Sequence, residues 1–254
     1  MGGGARNLYP PLETLKPLAE EIWIADGPAV PFYGMPFPTR MTLVRLPRGN
    51  LWLHSPIAPD EGLIREIETL GFVRFLVAPN ALHYVHMAAW AARFPEAQVF
   101  AAPGVARRAA RRNVDFPHHK VLDDRAPEGW AGTIRQRVIP GHPFLKEAVF
   151  FHEVSRTLIL TDLIENFERE RMGPAMRFAT WIAGTQAPHG QTPRDAQLTW
   201  RDRDAAAHAL RQMIGWGPER VVLAHGKILD ADVEASLRHA FAWALRERGA
   251  GARG

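Results

Sequence analysis

The chain contains no cysteine. That excludes disulfides and thiolate ligands, and leaves histidine and carboxylate as the donors a bound transition metal would need. No run of about 18 or more apolar residues is present, so no segment is suited to cross a bilayer as a helix. The opening stretch MGGGARNLYPPLETL lacks the apolar block that an export signal requires. A cytoplasmic protein with no membrane partner is the resulting expectation. The charge excess is also small: 31 Lys and Arg against 27 Asp and Glu give a formal net charge of +4. One Arg-dense segment, ARRAARRN from Ala106 to Asn113, has neither interleaved aromatics nor a Gly-rich backbone cradle. It reads as the solvated face of a helix, and no nucleic-acid partner is expected. No repeat occurs at solenoid spacing.

What remains is a chain of 254 residues, 46% hydrophobic and 23% charged, ordinary for a single α/β domain with a sizeable core. The expected core runs from about residue 18 to 247, with tails at 1–10 and 248–254. Short apolar runs alternate with amphipathic ones. Glu21 to Ala25, Met41 to Leu46 and Asn50 to His54 read as an opening meander. Asp60 to Leu70 reads as a helix, with Asp60 as N-cap, Leu63, Ile64, Ile67 and Leu70 as its apolar face, and Gly71 at its end. Further strands are expected at Val73 to Val77, Ala97 to Ala101, Thr133 to Ile139, Glu147 to Val154, Thr157 to Thr161 and Arg220 to Ala224. Helices are expected at Tyr84 to Arg93, from about Pro103-Gly104 onward, at Asp202 to Ile214, and as one closing helix from Asp230 to Arg246.

That order of strands, βα units, strands and βα units again fits two sheets packed face to face with helices outside. The stretch 166–200 fits no period. It carries Met172, Met176, Phe178 and Trp181 and the Pro/Gly-rich APHGQTPRD, and reads as a partly helical insertion able to cover a pocket. Phe32, Tyr33 and Phe37, in an early loop, are candidates for an apolar pocket mouth or a small satellite core.

The chemistry-bearing residues follow buried strands. His83 and His86, three apart where a strand gives way to a helix, can share one face. Pro140-Gly141 form a turn that sets His142 at the rim of a sheet. Asp162 ends the apolar strand TLILT, where a carboxylate is costly unless paired, solvated or bound to a cation. His225 follows VVLA in the same way. His54 ends LWLH and is either an extra donor or a hydrogen-bonded strand-end residue. Asn80 reads as a residue that holds its loop through the backbone. His118, His119, His152 and His189 fit no common site.

The order of these segments resembles the metallo-β-lactamase superfamily, and within it the uncharacterised DUF4336 branch. The resemblance rests on AxHxVH (Ala81 to His86), PGH (Pro140 to His142), LTD (Leu160 to Asp162) and AHG (Ala224 to Gly226). It rests also on LWLHSPI, VAPNALHYVH, PGHPFLKEAVFFH and SRTLILTDLIENF. It implies a four-layer αββα sandwich over one domain, 1–254. It also implies a metal set in which His83 and His142 serve one position, His86 and His225 another, and Asp162 bridges them. Ala81 and Val85 replace a histidine and the water-orienting aspartate of the superfamily's first motif. The implied group is therefore one divalent transition metal, zinc, iron or manganese. The implied activity is hydrolysis of a small ester, thioester or lactone. Two other readings stay open: a ligand-binding or sensor protein that lost the chemistry, and a hydrogen-bonded relic with no metal.

Overall fold

The strand β9 (Glu147–His152) is buried at all six positions, which requires cover on both faces. Its alternation divides the molecule. Ala148 and Phe150 join one hydrophobic core, while Val149 and Phe151 join another, as a period of two demands. In the first core two sheets face each other; in the second, one sheet meets helices. The computed structural model describes residues 8–246. Residues 1–7 and 247–254 lie outside that range, and with them all of the expected tail 248–254 and most of the expected tail 1–10.

The larger sheet contains β1 (Lys16–Ala19), β2 (Ile22–Phe32), β3 (Met35–Arg45), β4 (Asn50–His54), β5 (Phe72–Ala78), β6 (Gln98–Ala101) and β7 (Lys120–Val121), adjacent in chain order. The first four pair antiparallel, and β4 to β7 run parallel. Parallel neighbours need crossovers. Two of these contain α1 (Glu61–Leu70) and α2 (Met87–Arg93), and α3 (Val105–Arg111) precedes β7. Asp60 caps α1, its Oδ1 accepting from the amides of Gly62 at 2.8 Å and Leu63 at 3.0 Å. Leu63, Ile64 and Ile67 then bury in the first core with Met87, Trp90, Val105 and Ala109.

The second sheet has the order β11 (Arg220–Val222), β10 (Thr157–Ile159), β9, β8 (Ile134–Ile139). Its outer face is covered by α6 (Arg203–Ile214), α7 (Val233–Ala240) and α8 (Ala242–Leu245). Helix, sheet, sheet, helix is the expected layering.

Four expectations shift. The PFYGMPFP segment is no loop: β2 and β3 continue through it, pairing Phe32 with Met35 and Val30 with Phe37. Tyr33 and Gly34 turn the hairpin with φ of 48° and 75°, the positive pair that matches strand twist. Prolines at 28, 31, 36 and 38 had hidden the alternation. The second helix begins at Met87 rather than Tyr84, so His83 lies in a turn and His86 is the N-cap. The closing helix is two helices, parted at Phe241, whose ring is fully buried. The strands β1 and β7 were not anticipated, being short and only partly apolar.

The insertion holds α4 (Pro174–Ala183) and α5 (Arg194–Thr199). It is tied to the end of the sandwich by single bridges of Glu165 to Gln191 and Asn166 to Gly226, and closed on itself by one of Phe167 to Gln186. Phe167, Met172 and Met176 pack with Phe37 as a satellite core.

Candidate metal centre

Parallel strands deliver their carboxyl-terminal ends to one side, where loops gather side chains from distant segments. Here β4, β5, β10 and β11 end in His54-Ser55, Asn80 to His83, Asp162 and His225. Among the described residues, His83, Asp162 and His225 form the one group of three whose donor atoms all lie within 4.8 Å of one another. His83 Nε2 is 3.2 Å from Asp162 Oδ2 and 3.4 Å from Oδ1, and His225 Nε2 is 3.2 Å from Oδ1. Ligands each about 2.0–2.1 Å from a tetrahedral zinc sit roughly 3.3 Å apart. The carboxylate-to-imidazole spacings match that.

The tautomers point to a cation as well. His225 Nδ1 lies 2.7 Å from the Pro38 carbonyl oxygen, which can only accept, so Nδ1 carries hydrogen. In a neutral ring, Nε2 then aims a lone pair at a carboxylate oxygen. That is repulsive unless a proton or a cation lies between them. His83 Nδ1 lies 2.6 Å from Ser55 Oγ, a hydroxyl able to accept from it or donate to it, and its Nε2 is turned to Asp162. Ligating histidines characteristically have the far nitrogen fixed by a carbonyl, carboxylate or other acceptor. Without a metal, proton occupancy does the balancing. Burial lowers the His83 pKa, but Asp162 outweighs it and the net shift is upward. Burial likewise raises the Asp162 carboxyl, and the two imidazoles more than reverse this, holding it well below the usual carboxylate range.

Ser55, His83 and Asp162 form a chain with the connectivity of a hydrolytic relay. Ser55 is buried and is followed by Pro56, so the next residue offers no N–H for an oxyanion. Its hydroxyl orients His83.

The other candidates stand apart from this group. His142 Nδ1 accepts from the amides of Leu145 at 2.7 Å and Phe144 at 3.2 Å. Its Nε2–H therefore donates to Thr199 Oγ1 at 3.0 Å, and both ring nitrogens are engaged. Burial lowers its pKa, with Asp195 opposing. His86 stands half-buried at the N-cap position of α2 without a side-chain hydrogen bond to the helix, its pKa lowered by burial, outside the donor group. Val85 between them is exposed, and Ala81 is buried. His54 is stacked on Trp52 at 5.4 Å with its Nε2 buried and without a hydrogen-bond partner. Burial and the nearby His83 push its pKa down to about 3. His152 meets Ser155, His119 meets the Pro117 carbonyl, and exposed His189 lies near His239.

A homologous-domain sequence model, described as a domain of unknown function (DUF4336), matches residues 19–224. The chain belongs to that family. No match was found among curated proteins. The DUF4336 protein is similar in structure to the DIM-1 metallo-β-lactamase exposed to ceftazidime, with a TM-score of 0.63 and 13% identity over 94% of this chain and 96% of that one. The metallo-β-lactamase from Pontibacter korlensis gives 0.63 and 15%, over 94% of this chain and all of the other. FIM-1 from Pseudomonas aeruginosa, in its mono-zinc form, gives 0.62 and 12%, over 92% and 96%. The fold is thus the metallo-β-lactamase fold.

Several residues around the centre were not singled out in the sequence. Arg40 is buried and donates from Nη1 to the carbonyls of Leu223 at 2.7 Å and Gly226 at 2.9 Å, and from Nε to Asp26 Oδ1 at 2.8 Å. With Pro38 it clamps the His225 loop onto β3. Glu147 is fully buried and accepts from the amides of Thr161 and Asp162, both at 2.8 Å. Burial and the Asp162 charge raise its pKa. Glu165 is raised to about 7 by burial, by Asp162 and by Asp195, against the pull of His225. The available signal was an acid inside an apolar stretch: EAVFF for Glu147 and LIENF for Glu165.

Proposed function

We propose that this DUF4336 protein is a one-metal hydrolase acting on a small ester, thioester or lactone. The observation that carries this is the convergence of His83 Nε2, His225 Nε2 and an Asp162 oxygen, with both far ring nitrogens already occupied. These three residues would hold a divalent zinc, iron or manganese ion. Three protein ligands with open positions are the donor count of a catalytic rather than a closed structural site. A bound metal of this kind polarises a carbonyl and lowers the pKa of a bound water.

The protein's own residues divide the remaining work. Ser55 and Pro38 fix the two imidazoles. Glu165, buried three residues past Asp162 with a pKa near 7, has the proton affinity of a group able to take and return a proton near neutral pH. It can stand in for the aspartate missing at Val85. Exposed apolar residues accompany the site loops. Val85 separates His83 from His86, Phe144 follows His142, and Leu198 precedes Thr199. Tyr33 tips the hairpin whose Phe37 ring lies 5.4 Å from His225. They favour a substrate with an apolar acyl or aryl part. Two candidate metal positions of the wider fold are not both supported, since His142 is engaged with Thr199 and the loop amides.

The test is a panel of aryl esters, acyl thioesters and lactones, assayed on metal-reconstituted protein and after chelation. Turnover should be lost on chelation and fall by at least ~100-fold in Asp162→Ala, as expected when Lewis-acid stabilisation goes. Turnover indifferent to both would sink the proposal. Binding of such compounds without turnover would favour a non-catalytic ligand-binding protein.

A further inference from the structure

We infer that Asn80 is a positioning residue for the metal centre, holding the Asp162 carboxylate in the orientation that faces both imidazoles. This rests on the metal-binding reading above. Asn80 is fully buried, and its amide is fixed at both ends. Oδ1 accepts from the backbone amides of Leu82 at 2.8 Å and His83 at 3.2 Å. Those donors decide the amide's orientation, because only the oxygen can accept them. The NH2 group is thereby directed at Asp162 Oδ2 at 2.6 Å, Thr161 Oγ1 at 2.8 Å and Glu147 Oε2 at 3.1 Å.

One side chain therefore joins the segment carrying His83 to the strand end carrying Asp162. Glu147 completes the frame from β9, taking the amides of residues 161 and 162 on its two oxygens. The Asn80 bond to Oδ2 sets the carboxylate plane, with Oδ2 lying 3.2 Å from His83 Nε2 and Oδ1 3.2 Å from His225 Nε2. Loss of the Asn80 N–H frees the Asp162 carboxylate to rotate, and separates the two segments that must converge on one ion. Partners of this kind behind a ligand typically carry about 10–100-fold in metal affinity.

Asn80 also closes its own loop, so the informative variant is Asn80→Ser. A serine hydroxyl can accept the loop amides but is too short to donate to Asp162. Metal-depleted full-length protein is titrated with Co(II) against a chromophoric chelator, recording dissociation constant, visible spectrum and the thermal melt without metal. Asn80→Ser should melt cooperatively like wild type, bind Co(II) about 10–100-fold more weakly and show an altered visible band. Glu147→Gln should weaken binding in the same direction. Should Asn80→Ser fail to fold, Asn80→Thr repeats the test with less empty volume. Wild-type affinity and spectrum in the folded variant would overturn the inference while leaving the metal centre standing. No Co(II) uptake by the wild-type protein would overturn the metal reading, and this inference with it.

Discussion

Because a carbonyl only accepts, Pro38 settles where the His225 proton sits and leaves Nε2 for whatever lies against Asp162. The same economy recurs at Arg40, where one guanidinium ties Asp26 to two carbonyls of the His225 loop. Asp26 also pairs with Lys16, so losing Arg40 leaves it one cation, but the two loop carbonyls lose a buried charged donor. Arg40→Leu should therefore lower unfolding free energy by about 2–3 kcal/mol, read from the urea midpoint at pH 7. A loss below ~1 kcal/mol would mean the pair is a bystander. His54 gives a pH prediction. Its folded pKa is about 3 against an ordinary 6.5, so between these values the unfolded chain binds the extra proton. Stability then rises with pH across that window and is lost as pH falls below about 6.5. His54→Phe, which keeps the ring against Trp52 and Phe150, should flatten that acid limb in urea midpoints from pH 7 to 4. An unchanged slope would assign it to other groups. In the sequence His54 had two readings; its unpartnered Nε2 and its stacking on Trp52 place it in the core beside the site. Asn80 was legible as a loop cap because that role is local. Its hold on Asp162, 82 positions away, was not, since nothing local encodes which strand end arrives there.

Among the elements, strands with clean alternation and helices with a cap and one apolar face were legible in the sequence, and α1 with Asp60 is the clearest case. Legibility failed where local rules conflict with tertiary pairing. The hairpin arms of β2 and β3 are proline-studded yet paired, because the Tyr33-Gly34 turn sets their register. Residues 84–86 suit a helix by composition, which is why the expected helix starts at Tyr84. The cap at Asn80 and the start of α2 at Met87 instead leave His83 in a turn that directs Nε2 toward Asp162. The loop after β11 depends on Gly226, whose φ is 106° and whose added Cβ would meet the Asn166 carbonyl oxygen at 2.2 Å. Gly226→Ala thus combines backbone strain with a clash against backbone that cannot swing aside. It should cost on the order of 2 kcal/mol or more and displace His225, lowering both melting temperature and metal affinity. A variant with unchanged values of both would contradict this account of the loop.

At the scale of the whole molecule, two sheets share one core, and their strand ends bring segments near residues 54, 83, 162 and 225 to one rim. The layering was legible from the order of elements, since buried strands and amphipathic helices leave few ways to cover every apolar face. The candidate site was legible as a list of ligand types at strand ends. Which of those donors converge was not legible, because the placing of His83, His86 and His142 depends on turn geometry and on Thr199, Phe144 and Leu145. No helix of the described residues is long and apolar enough to cross a membrane. Likeness to metallo-β-lactamases at 12–15% identity speaks for the shared scaffold, while any chemistry resides in the three converging donors.

Metal binding is also linked to protons in this scheme. His83, raised in pKa by Asp162, must shed its proton to ligate, so uptake should release protons. The decisive measurement is metal content per chain by elemental analysis after reconstitution, on wild type beside His225→Ala and His142→Ala. The account predicts one transition metal in wild type, loss in His225→Ala, and retention in His142→Ala. No metal in wild type, or equal loss in both variants, would contradict it.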